Sequence, residues 1–258
     1  MENSISPLAL MSDFRVFASA PGQGLITLPA GESHHLVTVN RARCGDTVIA
    51  FDGQGTEWTC ELIDARKSGA SLRVTATHTR DPLACAITLA QALPKGGAME
   101  DIIRHATELG AARIVPIASE RIQVHLDGER SDKKIEKWAA AALEAAKQCG
   151  NPWLPEIAAV QSAAAFMESA RGYDLKLIAS LQPDAQSLKT VLAAATAALG
   201  RTPRSAVWLV GPEGDFTPAE LSLARTAGFA PVTLGPLVLR CETAAIYALS
   251  VLSYELQN

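Results

Sequence analysis

Two loops that begin with Gly-Pro carry the residues best suited to chemistry on a small molecule. Residues 211–216 (GPEGDF) and 235–240 (GPLVLR) each follow a short apolar run, and a third loop, 181–183 (LQP), follows another. Glycine lets a ligand approach the backbone closely, proline fixes φ, and the remaining N–H and C=O groups can hydrogen-bond to an adenine edge. One such loop is more often only a tight turn, but two after consecutive strands favour a binding site.

The common nucleotide-binding and metal-binding motifs are absent from the sequence. No GxGxxG follows a strand, and neither GxxxxGK[ST] nor GxSxG occurs. The five cysteines and five histidines are scattered and include no CxxC pair, so we predict neither a disulfide framework nor a metal site. A cofactor would therefore have to be bound by a different type of motif.

The amino-terminal third has the pattern of a small β-domain. Between Phe14 and about Cys85, turn signals separate five β-rich runs, which are residues 15–17, 24–28, 47–51, 57–63 and 71–77. Ser33 can cap one short helix that runs to Val39. The pattern predicts a small barrel or sandwich.

After Asp81-Pro82 the pattern changes to alternating strands and helices. The predicted strands are 87–93, 113–117, 175–180, 207–210 and 232–234. The predicted helices are 99–109, 131–149, 187–199, one that opens at 217–220 (TPAE), and 242–256. This alternation predicts a mostly parallel sheet with helices on both faces, and in such sheets ligands bind beyond the carboxyl ends of the strands.

Composition favours a small-molecule enzyme of the cytoplasm. The 258 residues are 48% hydrophobic, enough for a sizeable core, and the formal net charge is −4. That charge argues against a protein that holds nucleic acid by bulk electrostatics, so any RNA contact must be local. No apolar run is long enough to cross a membrane, and the first residues lack the pattern of an export signal.

Residues 208–214 (WLVGPEG) and 234–244 (LGPLVLRCETA) resemble the paired signatures of the SPOUT methyltransferases. Within that superfamily the chain is similar to the 16S ribosomal RNA uracil-N3 methyltransferases almost from end to end. Further segments in the same order carry the likeness: 34–39 (HHLVTV) with Arg41, Gly45 and Asp46, then Lys95, 99–100 (ME), 106–110 (ATELG), 116–117 (PI), 120–121 (ER), 137–138 (KW), 144–146 (EAA), Gln148 and 155–156 (PE).

The resemblance implies a two-domain α/β protein. Residues 1–84 would form a PUA-like β-barrel that binds RNA, with 1–12 as an extension, and 85–258 would form the SPOUT domain tied in a trefoil knot. It also implies S-adenosylmethionine as methyl donor, N3 of a specific uridine in small-subunit 16S RNA as its acceptor, and a homodimer. From the residues alone we expect an unknotted doubly wound sheet, because knots are nearly absent from folds.

Loop position and resemblance together give the expected site residues. For the cofactor these are Leu181, Leu209, Gly211, Glu213, Gly214, Leu234, Gly235, Leu239, Arg240, Glu242, Thr243 and Ala244. For RNA they are Arg15, His35, Arg41, Lys95 and Arg121. Four positions depart from the family pattern: Asn40, Asn151, Asp215, where glycine is common, and Leu237, where arginine is frequent.

Three charged residues are the catalytic candidates. Uridine N3 must lose a proton before it attacks a methyl group, so a cation near the carbonyl oxygens and a carboxylate as proton acceptor would help. Arg240 is the candidate cation, and Glu213 and Glu242 are the candidate carboxylates. Alternatively, Glu242 only caps the last helix, Arg240 only pairs with an acidic neighbour, and orientation alone supplies much of the acceleration.

Three other functions stay open at the level of sequence. The chain could be a non-catalytic RNA-binding protein of ribosome assembly, against which the intact GPEG and LRCET segments argue. It could be a nucleotide-dependent enzyme, against which the missing phosphate loops argue. It could also methylate another RNA nucleotide, because base choice depends on pocket geometry.

Overall fold

The computed structural model describes residues 14–121 and 128–257, with the side chains of 128–130 excepted, so the predicted extension 1–12 lies outside the described residues. Contacts divide this part of the chain into two compact units. The first holds the described residues up to Pro82 together with Leu143–Leu154, and the second holds Leu83–Ala142 and those from Pro155 onward. Among the helices of these ranges, none combines the length and apolarity that a membrane span requires.

The first unit is built on a five-stranded sheet. Its strands are β1 (Arg15–Phe17), β2 (Leu25–Thr27), β3 (Thr47–Phe51), β4 (Thr56–Asp64) and β5 (Ser71–Thr79). They lie in the order β1-β3-β4-β5-β2, with β1 and β3 parallel and the other pairs antiparallel. Val48, Cys60 and Leu62 are buried in its core. Each predicted β-rich run therefore forms a strand.

A short helix in the first unit begins before the predicted cap. Helix α1 (Ala30–His34) follows Pro29 and continues as a wider π-type turn over His35–Val39. Ser33 lies inside this helix and is fully buried, so its prediction as the amino-terminal cap is wrong. Its hydroxyl donates to the Pro29 carbonyl at 2.9 Å, and its oxygen accepts from the Ala70 N–H at 2.9 Å. A short polar side chain can bond backbone within a helix as well as at its start.

The second unit is a parallel sheet. Its strands are β6 (Ala86–Ala92), β7 (Arg113–Ala118), β8 (Glu156–Ile157), β9 (Gln161–Ser162), β10 (Leu175–Ala179), β11 (Ser205–Val210) and β12 (Ala230–Val232). Their order is β12-β10-β11-β6-β7-β8, with β9 also on β7, and every pair is parallel. Trp208 and Leu209, neighbours on β11, are both fully buried in different apolar clusters. The sheet is therefore covered on both faces, as parallel sheets require.

The helices of the chain after Pro82 confirm one predicted helix start and correct another. They are α2 (Ala98–Glu108), α3 (Gly128–Cys149), α4 (Ala163–Ser169), α5 (Leu188–Leu199), α6 (Pro218–Thr226) and α7 (Cys241–Leu256). Ser187 caps α5, and Thr217 with Glu220 forms the predicted capping box of α6. Ser131 does not cap α3, because that helix already begins at Gly128.

Three short elements were absent from the sequence-based prediction. Strands β8 and β9 are two residues long and α4 is seven, too short for a periodic pattern to stand out. Strand β12 ends at Val232 rather than Leu234, because only residues 230–232 pair with β10.

Candidate functional site

A cavity opens at the carboxyl ends of three adjacent strands. Strands β12, β10 and β11 are neighbours and parallel, so the loops that follow them meet at one edge of the sheet. The cavity is lined by residues 179–181 after β10, by 210–213 and 215 after β11, by 234–235 and 237–239 after β12, and by 241 and 244 of α7. In open parallel sheets, ligands bind beyond the carboxyl ends of the strands, which is where this cavity lies.

Two glycines contribute backbone to the wall of this cavity. A Cβ on Gly235 would find no atom within 4 Å, but the residue has φ of +114°, which L residues rarely adopt. A Cβ on Gly211 would lie 3.2 Å from Asp215 Oδ1 and 3.4 Å from the Phe216 ring, so its neighbours would have to shift. Glycine is therefore required at both positions for different reasons.

The loop after β11 is held by contacts from two other loops. The Lys95 N–H donates to Glu213 Oε1 at 2.9 Å. The Arg121 guanidinium donates to the Gly214 carbonyl oxygen. Lys95 and Arg121 were both predicted to bind RNA, and the structure places them beside the candidate cofactor loop. Lys95 is exposed and no ion pair of its ammonium group is present among the described residues, so its cation faces solvent.

The start of α7 brings a cation, a thiol and a carboxylate together. The Arg240 side chain is 86% exposed, and its Nη1 lies 4.0 Å from Glu242 Oε1. The Cys241 thiol donates to Glu242 Oε2 at 3.3 Å. The pKa of Glu242 is lowered by its own backbone N–H, then by the Cys241 thiol, and also by Arg240. Glu242 is therefore a stable anion. Glu242 lies in the first turn of α7 and its carboxylate accepts its own backbone N–H, so the alternative that it only caps this helix stays open.

Burial makes Cys241 an unreactive thiol. Its side chain lines the cavity, and burial is the main cause that raises its pKa to about 12. The hydrogen bond to Glu242 and the carboxylates of Glu213 and Glu242 raise this pKa further. The thiol stays protonated at neutral pH and has no nucleophilic role there.

The cavity includes some of the predicted cofactor residues and not others. Those that line it are Leu181, Gly211, Glu213, Leu234, Gly235, Leu239 and Ala244. The remaining five do not: Leu209 is fully buried in β11, and Gly214, Arg240, Glu242 and Thr243 flank the cavity in sequence. Leu209 points into the core because alternate residues of a strand face opposite sides.

Three predicted RNA contacts lie in the first unit. The Arg15 side chain is 6% exposed, and its Nη2 pairs with the buried Glu57 Oε1 at 2.7 Å. Arg15 also lies over the Phe51 ring at 5.2 Å. This environment gives Arg15 a role in packing and does not support its prediction as an RNA contact. His35 is half-buried and Arg41 is exposed with φ of +61°.

Sequence reasoning missed several cavity residues. Asp215 was noted only as a departure from the family pattern, and Ser180, Val238 and Cys241 were not assigned at all, yet all four line the cavity. Their positions next to predicted loop residues were the available signal. Leu181, Leu237 and Val238 are 60%, 72% and 80% exposed, so the loops around the cavity present apolar surface to solvent.

Two family models match the chain. Residues 81–253 match an RNA methyltransferase domain, and residues 28–75 match an RNA methyltransferase PUA domain. The first match covers more than half of the sequence. The chain belongs to the RNA methyltransferase family. The resemblance noted in the Gly-Pro loops is therefore confirmed, and so is the α/β class with a PUA domain in its amino-terminal part.

Similar curated proteins carry one name. The RNA methyltransferase is 34% identical to ribosomal RNA small subunit methyltransferase E of Synechocystis over 92% of this chain and 75% of that protein. It is also 34% identical to the protein of the same name in Bacillus subtilis, over 87% of this chain and 88% of that one.

Solved structures of similar proteins share the fold. A putative methyltransferase from Legionella pneumophila, in complex with the cofactor SAM, has a TM-score of 0.85 and 31% identity over 94% of this chain and 97% of its own. Ribosomal RNA small subunit methyltransferase E from Neisseria gonorrhoeae, bound to S-adenosyl methionine, has a TM-score of 0.82 and 30% identity over 93% and 97%. The SPOUT class is thereby confirmed for this RNA methyltransferase, whereas the trefoil knot and the homodimer stay predictions.

Proposed function

We propose that this RNA methyltransferase transfers a methyl group from S-adenosylmethionine to N3 of a specific uridine in the 16S RNA of the small ribosomal subunit. The cavity at the ends of β10, β11 and β12 carries the proposal. Its loops are those that resemble the uracil-N3 family. Similar proteins named for small-subunit RNA methylation support it, one of them with S-adenosyl methionine bound, as does a similar methyltransferase structure that holds the same cofactor. The substrate also makes the cytoplasm the expected compartment.

The cavity fits this cofactor chemically. Gly211 and Gly235 both line the cavity, so their backbone groups are available for hydrogen bonds to an adenine edge. Leu181, Leu237 and Val238 offer exposed apolar surface to an aromatic ring system. Glu213 and Asp215 are the only charged side chains among the described lining residues, and both are negative, which suits a cationic ligand.

The chain's own residues would then prepare the uridine for attack. S-adenosylmethionine, when bound, supplies a methyl group on a positively charged sulfur. Arg240, 86% exposed beside the cavity, is the cation that would stabilise negative charge on a uracil carbonyl oxygen as N3 loses its proton. Glu242, 4.0 Å away, would orient Arg240. Glu242 is a weak proton acceptor because its pKa is lowered.

Glu213 is the better candidate to accept the N3 proton. It lines the cavity, and Oε1 is fixed by the Lys95 N–H at 2.9 Å, which leaves Oε2 for the proton. Exposed Lys95 and Arg121 beside the same loop would contact RNA phosphates, as would Arg41 of the first unit. No cluster of metal-ligating side chains occurs in 14–121 or 128–257, and no step above calls for one.

The homodimer is the second part of the proposal. Tyr247 and Tyr254 are 47% and 73% exposed on α7, and they are seven residues apart, so they share one face of that helix. Large aromatic side chains on one face of a terminal helix suit a self-complementary two-fold contact. Each RNA site would then draw on both chains.

Two measurements test the function. Calorimetry should show S-adenosylmethionine binding to the purified protein, and absence of binding by a folded sample at millimolar ligand would contradict the enzyme. Mass mapping of 16S RNA from a strain that lacks the gene should show one missing uridine methyl group, restored by the gene. A missing methyl group on another nucleotide would replace the uridine assignment.

A further inference from the structure

Asp215 occupies an uncommon backbone conformation at the cavity. Its φ is +58°, in the left-handed region that favours glycine, and the family pattern commonly has glycine there. Asp tolerates this region better than most residues, because its short side chain can bond the local backbone. Here Oδ1 accepts the Phe216 N–H at 2.8 Å, while the Asp215 N–H donates to the Pro212 carbonyl at 2.9 Å. The carboxylate is therefore held at a fixed place in the loop.

That place is the cavity wall. Asp215 lines the cavity and is half-buried, and its Oδ1 lies 3.2 Å from where a Cβ of Gly211 would be. The carboxylate thus lies beside the backbone of Gly211, which also lines the cavity. With Oδ1 occupied by the Phe216 N–H, Oδ2 keeps its capacity to interact with a ligand.

The lining around this carboxylate is negative and otherwise uncharged. Glu213 supplies a second carboxylate, and no lysine, arginine or histidine is among the described residues that line the cavity. Basic residues occur only outside this described lining: Arg121 bonds to the Gly214 carbonyl, Arg240 lies close to Glu242, and Lys95 bonds to Glu213 through its backbone N–H. Glu213 also contributes to the raised pKa of Cys241, another residue that lines the cavity.

We propose that Asp215 is a specificity-determining residue that favours a cationic sulfonium ligand over its uncharged thioether counterpart. The inference rests on the proposed cofactor. S-adenosylmethionine carries one more positive charge than S-adenosylhomocysteine, the molecule left after methyl transfer. A fixed carboxylate in a half-buried cavity attracts that charge and gains nothing from the neutral sulfur. Asp215 therefore retains the donor and promotes release of the spent cofactor.

Binding of both ligands to three forms of the protein tests the proposal. The dissociation constants of S-adenosylmethionine and S-adenosylhomocysteine are measured by calorimetry for the unmodified protein, Asp215→Asn and Asp215→Gly. In both variants we expect the preference for the sulfonium to fall about tenfold, which corresponds to about 1.4 kcal/mol. Asp215→Gly also relieves the left-handed strain, so its loss of preference cannot reflect unfolding. Glu168→Gln, an exposed change of the same charge on α4, should leave the preference unchanged.

The outcomes distinguish failure of the proposed cofactor from failure of the proposed role of Asp215. If the unmodified protein binds neither ligand, the proposed cofactor is wrong. If it binds both, and the ratio of dissociation constants is the same in all three forms, the cofactor stands and the role of Asp215 is overturned. An equal loss of affinity for both ligands would likewise overturn it, because that pattern indicates packing rather than charge selection.

Discussion

Gly211 and Gly214 are two residues of one loop that differ in the room they leave for a side chain. The site of a Cβ at Gly211 is 3.2 Å from Asp215 Oδ1, while at Gly214 the nearest atom is Arg121 Cδ at 3.6 Å. We expect Gly211→Val to weaken S-adenosylmethionine binding by about tenfold or more, because a β-branched side chain crowds this loop and obstructs the backbone. The matched Gly214→Val should change the affinity about twofold at most. Calorimetry measures both, and equal affinities would refute this role of Gly211.

The cysteines offer a second prediction for single residues. Burial raises the pKa of Cys60 and Cys85 to about 11 and that of Cys241 to about 12, whereas Cys44 and Cys149 are exposed. A raised pKa keeps a thiol protonated below that pH, and only the thiolate attacks a disulfide reagent. At pH 8 the native protein should therefore show two fast thiols with dithionitrobenzoate, and five after denaturation. A Cys44→Ser, Cys149→Ser double variant should lose the fast reaction, and its persistence would contradict the burial of the others.

Sequence patterns located the site better than they assigned its residues. Glycine and proline mark a loop through their own backbone preferences, so the loops at Gly211 and Gly235 could be predicted locally. The role of Asp215 depends on a positive φ and a neighbour across the loop, which residue type does not encode. The prediction of Arg15 as an RNA contact is not supported for a similar reason, because its ion pair with Glu57 joins residues that are far apart in the chain.

Several hydrogen bonds hold the first turn of α6. The Thr217 Oγ1 accepts the Glu220 N–H at 3.2 Å, and Glu220 in turn accepts the N–H groups of Thr217 at 2.8 Å and Glu120 at 3.0 Å. We expect Thr217→Ala to lower the free energy of unfolding by about 1 kcal/mol. Ser187→Ala removes the exposed cap of α5 and should lower the free energy of unfolding by less. Among the described residues, the Ser187 hydroxyl bonds only to Thr190, which belongs to α5 itself. Urea denaturation compares them, and a larger loss for Ser187→Ala would contradict this order.

Elements with strong local signals were predictable, and those that depend on pairing were not. The capping box of α6 and the apolar strand β11 can each be predicted from a few consecutive residues. Strands β8 and β9 form because they pair with β7 (Arg113–Ala118). Their own two residues carry no sequence pattern that predicts a strand. The start of α3 at Gly128 was likewise not predictable from local sequence. The sequence predicts a start at Ser131, which can cap a helix, but a capping residue does not prevent a helix from beginning before it.

At the scale of the molecule, charge bears on the choice of substrate. The net charge of −4 leaves little sequence-independent attraction to RNA, so we expect recognition to rest on shape and on local cations, for which Lys95 and Arg41 are the proposed contacts. We expect assembled small subunits to be methylated faster than protein-free 16S transcript, by about tenfold or more. Initial rates of methyl incorporation at equal RNA concentration measure this. Equal rates on both substrates would refute shaped recognition.

The exposed face of α7 leads to the last prediction, a homodimer in solution. Cys241, Ala245, Leu249 and Leu252 of this helix are buried in the chain's own core, while Tyr254 is 73% exposed. Tyr254→Asp should therefore leave the fold intact and yield monomers, because the carboxylate would be desolvated only at the interface. Leu249→Asp should unfold the protein, and Leu25→Asp, an exposed change in the first unit, should keep the dimer. Light scattering with circular dichroism distinguishes these results. A monomer mass for the unmodified protein at tens of micromolar would refute both the dimer and an RNA site shared between two chains.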